Sequence, residues 1–225
     1  MIYTHIAFAQ SECKKNIGCA YNQFMELLPH DDDWGCFIDH DAMFTTSNWM
    51  NQLHDIIHKN SDVGAFGTRT NRVGYSWQLI GNIDVDNHDI KYHRAIGKHL
   101  QKTYYDQISP GATFEIPNSP NSKYSGRMIN EPRFSGTLIL VKKSVWKKIN
   151  GFKQDGFLEV DDDFRARLHK HKIKFGIMDG MYLYHWYRAD DPYKTSTPLL
   201  DKLRIEYQNF SKKHKFNVKH ITLLS

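Results

Sequence analysis

Two aspartates separated by one residue, Asp39 and Asp41, follow the short apolar run WGCFI at residues 34 to 38. Side chains alternate along a strand, so both carboxylates point to the same side and can reach one ion or phosphate group from the strand's carboxyl end. Carboxylate oxygens are the ligands that Mg²⁺ and Mn²⁺ prefer, and these cations commonly bridge to phosphates. The pair therefore predicts a divalent cation site that faces a diphosphate.

The motif alone is weak evidence, because a chain of this length contains about one Asp-x-Asp pair by chance. This sequence contains four, at 31/33, 39/41, 84/86 and 161/163. Only the pair at 39/41 follows an apolar strand. The pair at 31/33 is predicted to lie in a solvated turn, and the pair at 84/86 in a polar loop.

The elements around this pair alternate between strands and helices. Residues 2–8 and 34–39 read as strands, and the helical spacing over 16–28 places a helix between them, which makes a βαβ unit. The further predicted helices are one capped by Ser47, then 89–105, 143–151, 160–172 and one from 197; the further predicted strands are 63–68, 136–143, KFGIM and MYLYHW.

The totals restrict the class of protein. A chain of 225 residues that is 40% hydrophobic is not disordered and is predicted to form one domain, while the net charge of +5 suits an anionic ligand, nucleic acid or a membrane surface. No apolar run is long enough for a spanning helix and no secretory signal is recognisable, so we expect a cytoplasmic protein. Cys13, Cys19 and Cys36 lack metal-type spacing and are predicted to be reduced.

Residues 70–133 do not continue the alternation of strands and helices and are predicted to be an insertion. The segment 109–132 is dense in Pro, Ser, Gly and Asn, and such a long irregular connection is more often a functional loop than a linker. Arg69, Asn71 and Trp77 lie just after a strand and supply the polar and aromatic side chains that bind sugars. We therefore predict that this region contacts an acceptor substrate.

Five segments, taken in order, resemble the family 2 nucleotide-sugar glycosyltransferases of the GT-A fold. They are KNIGCAYN at 15–22, WGCFIDHDAMF at 34–44, FSGTLILVKKSVWKKINGF at 134–152, FLEVDDDFRARL at 157–168 and YLYHWYR at 182–188. The resemblance implies one α/β domain over 1–225 of GT-A (Rossmann-like) type, with a mostly parallel sheet flanked by helices, a short N-terminal half, and a C-terminal helix and tail at 197–225.

The resemblance also implies roles for individual residues. Asp39, Asp41 and His185 would hold Mn²⁺ or Mg²⁺, and Asp161 would be the general base of an inverting transfer from a nucleotide-diphosphate sugar, with a UDP-sugar the leading donor. Val160 stands where the family has a glutamate. The remaining implied contacts are Ala9, Gln10, Asn16, Gly18, Asn22, His40, Asp39 and Arg167 for the donor, and Arg69, Asn71, Trp77 and Asp163 for the acceptor, which would be a glycan, another hydroxyl compound or a modified nucleic acid base.

Two other function classes remain open at this point. A catalytically inactive module that binds a nucleotide sugar or nucleic acid is compatible with the lysine pairs at 142–143 and 147–148. His54 and His58 lie four residues apart on a predicted helix, as in zinc hydrolases, with Asp55 where those enzymes have a glutamate. A solvated helix face is the better explanation of the two histidines, so a zinc hydrolase is the less favoured alternative.

Overall fold

A computed structural model describes residues 1–6, 13, 16–73, 78–81, 83–84, 87–110, 114–115, 128–129, 135–154 and 160–186. The strands are β1 (Ile2–Ile6), β2 (Trp34–Ile38), β3 (Ala42–Phe44), β4 (Val63–Thr70), β5 (Ile108–Pro110), β6 (Phe114–Glu115), β7 (Met128–Ile129), β8 (Leu138–Lys142) and β9 (Lys174–His185). The helices are α1 (Ile17–Leu27), α2 (Trp49–Lys59), α3 (Ile90–Tyr104), α4 (Lys143–Lys148) and α5 (Val160–Lys170).

Seven strands form one sheet with helices against it, which confirms the α/β class. The order is β1-β2-β8-β4-β9-β3, and β5 pairs with β9 on the edge that β4 leaves free. Among the strands described, β1 is parallel to β2 and β4 to β9, whereas the other pairs in this sheet are antiparallel. The prediction of a mostly parallel sheet is therefore wrong. An apolar run shows that a strand is covered on both faces, but the run looks the same whether the strand is parallel or antiparallel to its neighbours.

The two faces of the sheet are covered by different helices. On β2, Phe37 packs with α1 and α5, whereas its neighbour Cys36 belongs to the cluster that contains α2. Successive side chains of a strand point to opposite faces, so one buried strand contributes to both clusters. Phe37 and Phe164 are fully buried, and truncating either to Ala would cost about 3–5 kcal/mol.

The helices begin and end at residues with matching chemistry. Asn16 caps α1 by accepting from the Cys19 amide at 2.9 Å, and Asp89 caps α3 by accepting from Lys91 at 2.8 Å. Asn150 and Gly151 follow α4 with φ values of 62° and 74°, the left-handed conformation that closes a helix. The residue before α2 is Asn48, without a side-chain capping bond, so the predicted cap at Ser47 is wrong by one position.

The strand β9 runs through KFGIM and MYLYHW, which were predicted as two short strands. Its register against β4 shifts between Thr68 and Arg69, where the partners jump from Met178 to Tyr182. Three residues of β9 therefore bulge out opposite a single step of β4. The two predicted strands are one continuous strand of 12 residues because the bulge interrupts the pattern without ending the pairing.

Two further expectations about the N-terminal half are wrong. Cys13 and Cys19 form a disulfide, whereas Cys36 is a free buried thiol. Asp33 is not solvated but 2% exposed, and it accepts from the Met1 amino group and the His30 amide at 2.9 Å each. The amino group and the amide stabilise the ionised form of this carboxyl, so its pKa is lowered.

Some predictions fall on residues outside the described ranges, namely Ala9, Gln10, Trp77, most of the 109–132 segment and the helix from 197. Over the ranges that are described, no helix combines the length and the apolar character needed to cross a membrane. The cytoplasmic location stays a prediction.

Candidate metal centre

Four chain segments meet at one edge of the sheet. Because β2, β4 and β9 run in the same direction and β8 runs against them, their carboxyl ends lie beside the start of β8. Asp39 follows β2, Asn71 follows β4, His185 ends β9 and Thr137 precedes β8. The sheet thus concentrates polar residues at this edge, the usual place for a ligand site in an α/β protein.

Asp41 reaches His185 because the chain turns directly after β2. The Ala42 amide donates to the Asp39 carbonyl at 3.1 Å, and β3 then pairs with the end of β9, with Ala42 opposite His185. The Trp186 amide donates to the Asp41 carbonyl at 2.9 Å and closes the arrangement. The loop 39–41 is therefore held against the last residue of β9 on both sides.

Asp39, Asp41 and His185 form one compact group. His185 Nε2 lies 3.2 Å from Asp41 Oδ1 and 3.7 Å from Asp39 Oδ2, and one ligand atom from each residue lies within 4.8 Å of the others. Among the residues that the structure describes, this is the only group of three or more His, Cys, Asp or Glu side chains arranged closely enough to hold a metal.

The orientation of the His185 ring fits a ligand role. Its Nδ1 lies 2.8 Å from the carbonyl of Arg72, which can only accept, so Nδ1 carries the proton and donates. In the neutral ring, Nε2 then carries the lone pair that would bind a cation, and in the protonated ring Nε2 donates to Asp41 Oδ1 at 3.2 Å. A hydrogen bond such as that at Nδ1 is what orients a metal-binding histidine.

Electrostatics couple the three side chains. Burial raises the pKa of Asp39 to about 6, opposed by His185 and reinforced by the negative charges of Asp41 and Asp161. Burial acts against ionisation of Asp41 too, but the hydrogen bond and charge of His185 outweigh it and lower its pKa. Burial would lower the pKa of His185, yet the bond to Asp41 and the nearby carboxylates raise it. Ionisation of both crowded carboxylates, Asp39 and Asp41, thus depends on a positive charge next to them.

The donor set fits a divalent cation. Two carboxylate oxygens suit Mg²⁺ and Mn²⁺, and the imidazole nitrogen shifts the preference towards Mn²⁺, since Mg²⁺ binds oxygen almost exclusively. Asp39 and His185 compete with protons for their ligand atoms, so a cation would bind more weakly as the pH falls.

Asp161 lies at the same edge, in the first turn of α5. Its Oδ2 accepts from the Gly136 amide at 3.0 Å, and its Oδ1 from the Asp162 amide at 3.0 Å. The next residue of that segment, Thr137, accepts from the Asp39 amide at 3.2 Å. Burial, and then the charge of Asp162, raise the pKa of Asp161. Residues 136–137 thus connect the predicted base to the predicted metal ligand.

The donor candidates on α1 all contact the segment 151–154. Asn22 Nδ2 donates to the Phe152 carbonyl at 2.9 Å, and its Oδ1 accepts from the Phe152 amide and from Trp146 Nε1, at 2.8 Å each. Asn16 bonds the Gln154 carbonyl, and a Cβ at Gly18 would lie 1.8 Å from the Lys153 carbonyl oxygen. These contacts give the three residues a structural role, and their contact with a donor stays a prediction.

The remaining candidates are spread over three places. Arg167 donates to Asp163 at 2.6 Å, one turn apart on α5, and also contacts the carbonyls at the end of α4. His40 is exposed between Asp39 and Asp41. Arg69 is 4% exposed and forms an ion pair with Asp179 rather than facing solvent. Their substrate contacts stay predictions.

The features behind the alternative functions are also visible. His54 and His58 are exposed, and within the described part of the chain no third ligand joins them. Asp55 accepts from the Tyr105 hydroxyl at 2.7 Å. Lys142 and Lys147 form ion pairs with Asp32 and Asp31 at 2.5 Å each, and Lys143 is buried against the last carbonyls of α1. Asp31 and Asp32 thus pair with two of the four lysines at 142–143 and 147–148.

Sequence reasoning missed the segment 135–137, and it considered Gln78 only as a candidate for acceptor contact and not for a structural role. Gln78 is fully buried, donates to the Thr68 carbonyl at 3.0 Å and accepts from the Ser135 amide at 2.6 Å. It therefore ties β4 to the segment that supports Asp39 and Asp161. The quoted motif FSGTLILV includes Ser135, Gly136 and Thr137, but only the strand in it carried a recognisable pattern.

No protein-family model matches this chain, and no curated protein matches it. A function can therefore be inferred only from the geometry of the site.

Proposed function

We propose that this protein is a metal-dependent glycosyltransferase that moves a sugar from a nucleotide-diphosphate donor to an acceptor hydroxyl. The observation that carries the proposal is the convergence of Asp39, Asp41 and the Nε2 lone pair of His185 at the edge where Asp161 also lies. A metal site beside a separate, partly buried carboxylate is what displacement of a diphosphate by a hydroxyl requires.

Each group has a defined part in this chemistry. A divalent cation, when bound by Asp39, Asp41 and His185, supplies positive charge for the departing diphosphate. The acceptor oxygen forms a bond to the anomeric carbon while the bond from that carbon to the diphosphate oxygen breaks, which inverts the configuration. Asp161 takes the proton of the acceptor hydroxyl. Its raised pKa makes it a stronger base than an ordinary aspartate.

The neutralised lysines favour an enzyme over a nucleic-acid binding module. A module of that kind would bind DNA or RNA in a salt-dependent way that is unaffected by Asp41. The ion pairs of Lys142 and Lys147 reduce the positive charge available for such binding. Binding experiments on wild type and an Asp41 variant therefore separate the enzyme from the binding module.

The first experiment measures Mn²⁺ binding by calorimetry for wild type, Asp41→Asn and Asp62→Asn. Asp62 is a matched control because it is exposed, pairs with Lys174 and lies before β4, at the opposite edge of the sheet. We expect one Mn²⁺ per chain in wild type and in Asp62→Asn, and a loss of affinity of at least about tenfold in Asp41→Asn. Equal binding by all three proteins would refute the metal site.

The second experiment measures nucleotide release from UDP-, GDP-, CMP- and dTDP-sugars in the presence of Mn²⁺. Release from one donor, lost with EDTA and in Asp41→Asn, would support the proposed reaction and identify the sugar. Asp161→Asn should then bind the donor normally but transfer the sugar much more slowly, by about 10²-fold or more, since it removes only the base. Metal binding without any nucleotide binding would reject the glycosyltransferase proposal.

A further inference from the structure

The side chain of Asn71 contacts the backbone of His185 at two points. Asn71 Nδ2 donates to the His185 carbonyl at 3.1 Å, and Asn71 Oδ1 accepts from the His185 amide at 2.8 Å. The Thr70 hydroxyl also donates to Asn71 Oδ1 at 3.4 Å, which agrees with the assignment of the amide oxygen. Asn71 is 1% exposed, so these bonds form away from water.

These two bonds extend the pairing of β4 with β9 beyond the point where the backbones separate. The last paired residues are Thr70 and Leu183, and the chain turns away at Asn71, directly after β4. The Asn71 side-chain amide offers a donor and an acceptor side by side, as the N–H and C=O of one strand residue do, and it takes the place of a strand residue opposite His185. Because the turn is made at Asn71, the carbonyl of Arg72 remains available for the His185 ring.

Residues 71 and 72 therefore control different parts of the same histidine. The Asn71 side chain holds the backbone of His185, and the Arg72 carbonyl holds Nδ1 of its ring at 2.8 Å. With backbone and ring both fixed, Nε2 stays 3.2 Å from Asp41 Oδ1. Regular pairing with β4 ends before His185, so without Asn71 its backbone would keep the pairing with Ala42 on the β3 side but lose the two bonds on the β4 side.

We propose that Asn71 is a positioning residue that keeps His185 in place as the nitrogen ligand of a divalent cation. The inference rests on the proposed cation site and adds a residue that bonds the backbone of a ligand residue instead of binding the cation itself; the predicted acceptor contact of Asn71 stays a prediction. Partners that orient a metal ligand in this way typically contribute about 10–100-fold to metal affinity. The expected loss for Asn71→Ala is about tenfold, the lower end, because the Arg72 carbonyl still orients the ring.

Asn22 supplies the matched control. It is also a buried asparagine that holds one residue, Phe152, through both its amide and its carbonyl. Asn22→Ala should therefore destabilise the fold to a similar degree while leaving the loop 39–41 and His185 untouched. A purely structural role for Asn71 would make the two variants equivalent in metal binding.

The test uses full-length wild type, Asn71→Ala and Asn22→Ala with Mn²⁺ alone. Calorimetry gives the affinity, and electron spin-echo spectroscopy of bound Mn²⁺ detects a coordinated imidazole nitrogen. We expect the nitrogen signal in wild type and Asn22→Ala, and its loss or weakening in Asn71→Ala together with about tenfold weaker binding. An unchanged nitrogen signal and affinity in Asn71→Ala would overturn the proposal.

A measurement on wild type decides the matter if Asn71→Ala does not fold. In a Mg²⁺ titration followed by NMR, the side-chain amide resonances of Asn71 should shift with the same midpoint as the ring of His185. A ring that responds while Asn71 does not would also overturn the proposal. No metal binding in wild type would instead refute the proposed function, so the two failures are distinguishable.

Discussion

Replacing Arg69 by Met tests whether this residue holds the fold together or contacts an acceptor. Its Nε and Nη2 both donate to Asp179 Oδ1, at 3.0 and 2.5 Å, and Nη2 also donates to Ser109 at 3.2 Å. Asp179 Oδ2 accepts from the Ser109 hydroxyl at 2.7 Å. The Arg69 and Asp179 side chains are only 5% and 11% exposed, so the ion pair is largely removed from water.

The expected cost follows from what the substitution leaves behind. Met fills much of the volume of Arg, so the main effect is a buried Asp179 carboxylate that has lost its positive partner and still accepts from the Ser109 hydroxyl. Breaking a buried ion pair from one side costs about 3–5 kcal/mol. For a chain of this size, that corresponds to a drop in Tm of about 6–20 °C. Replacing both partners, Arg69→Met with Asp179→Leu, should recover most of the loss, because a buried pair is often no better than apolar packing.

Urea denaturation of the two single variants and the double variant provides the assay. Lys59→Met is the control, since Lys59 and Asp106 form an ion pair at 2.7 Å whose side chains are 58% and 35% exposed. Such a pair contributes at most about 1 kcal/mol. If Arg69→Met costs no more than Lys59→Met, or if the double variant shows no recovery, then the stability argument fails and the acceptor contact becomes the better explanation of Arg69.

Three further predictions concern other parts of the fold. Burial lowers the pKa of His93, whose Nδ1 lies 2.7 Å from the Tyr182 hydroxyl. The contribution of His93 to stability should therefore be present above about pH 6.5 and decline as the pH falls. The difference in unfolding free energy between wild type and His93→Gln should shrink between about pH 7.5 and 5, and a constant difference would contradict this. Gly97→Ala should destabilise by about 1–3 kcal/mol despite better helix propensity, because the new Cβ would lie 2.0 Å from Thr45 Oγ1; a rise in Tm would show that α3 can move. Burial raises the pKa of Cys36 to about 12, so a thiol reagent should label it only after denaturant is added, and rapid labelling of the native protein would exclude this buried position.

The sequence predicted the positions of the helices and of Asp39 and Asp41 at the end of β2 better than it predicted the strand directions. Asp39 and Asp41 were recognisable because a short apolar run identifies a buried strand and its end, and that end is where ligands gather. The helices at 16–28, 89–105, 143–151 and 160–172 were recognisable because helical periodicity is a local signal. The structure places a helix in each of these ranges and brings His185 to within 3.2 Å of Asp41.

Properties that depend on distant residues could not be predicted. The antiparallel direction of β8 depends on where the chain enters the sheet. The apolar run of β8 contains no information about that direction. Asn22 and Arg69 resemble binding residues in the sequence, but their partners Phe152 and Asp179 lie more than one hundred positions away. The role of Gln78 depends in the same way on Ser135, on the far side of a long insertion.

The three extra residues in the bulge of β9 affect which face of the sheet the side chains at the end of this strand point to. Met178 and Leu183 both pack in the cluster with α2 although they are five positions apart, an odd spacing that strict alternation would send to opposite faces. The bulge shifts the alternation of side chains between the two faces by one residue, and His185 lies in the shifted part of the strand. A slip of the pairing beyond the bulge by one residue would turn the imidazole to the other face, away from Asp41, whereas a slip by two would keep its face. A segment remote from the carboxylates thus decides whether the third ligand faces them at all.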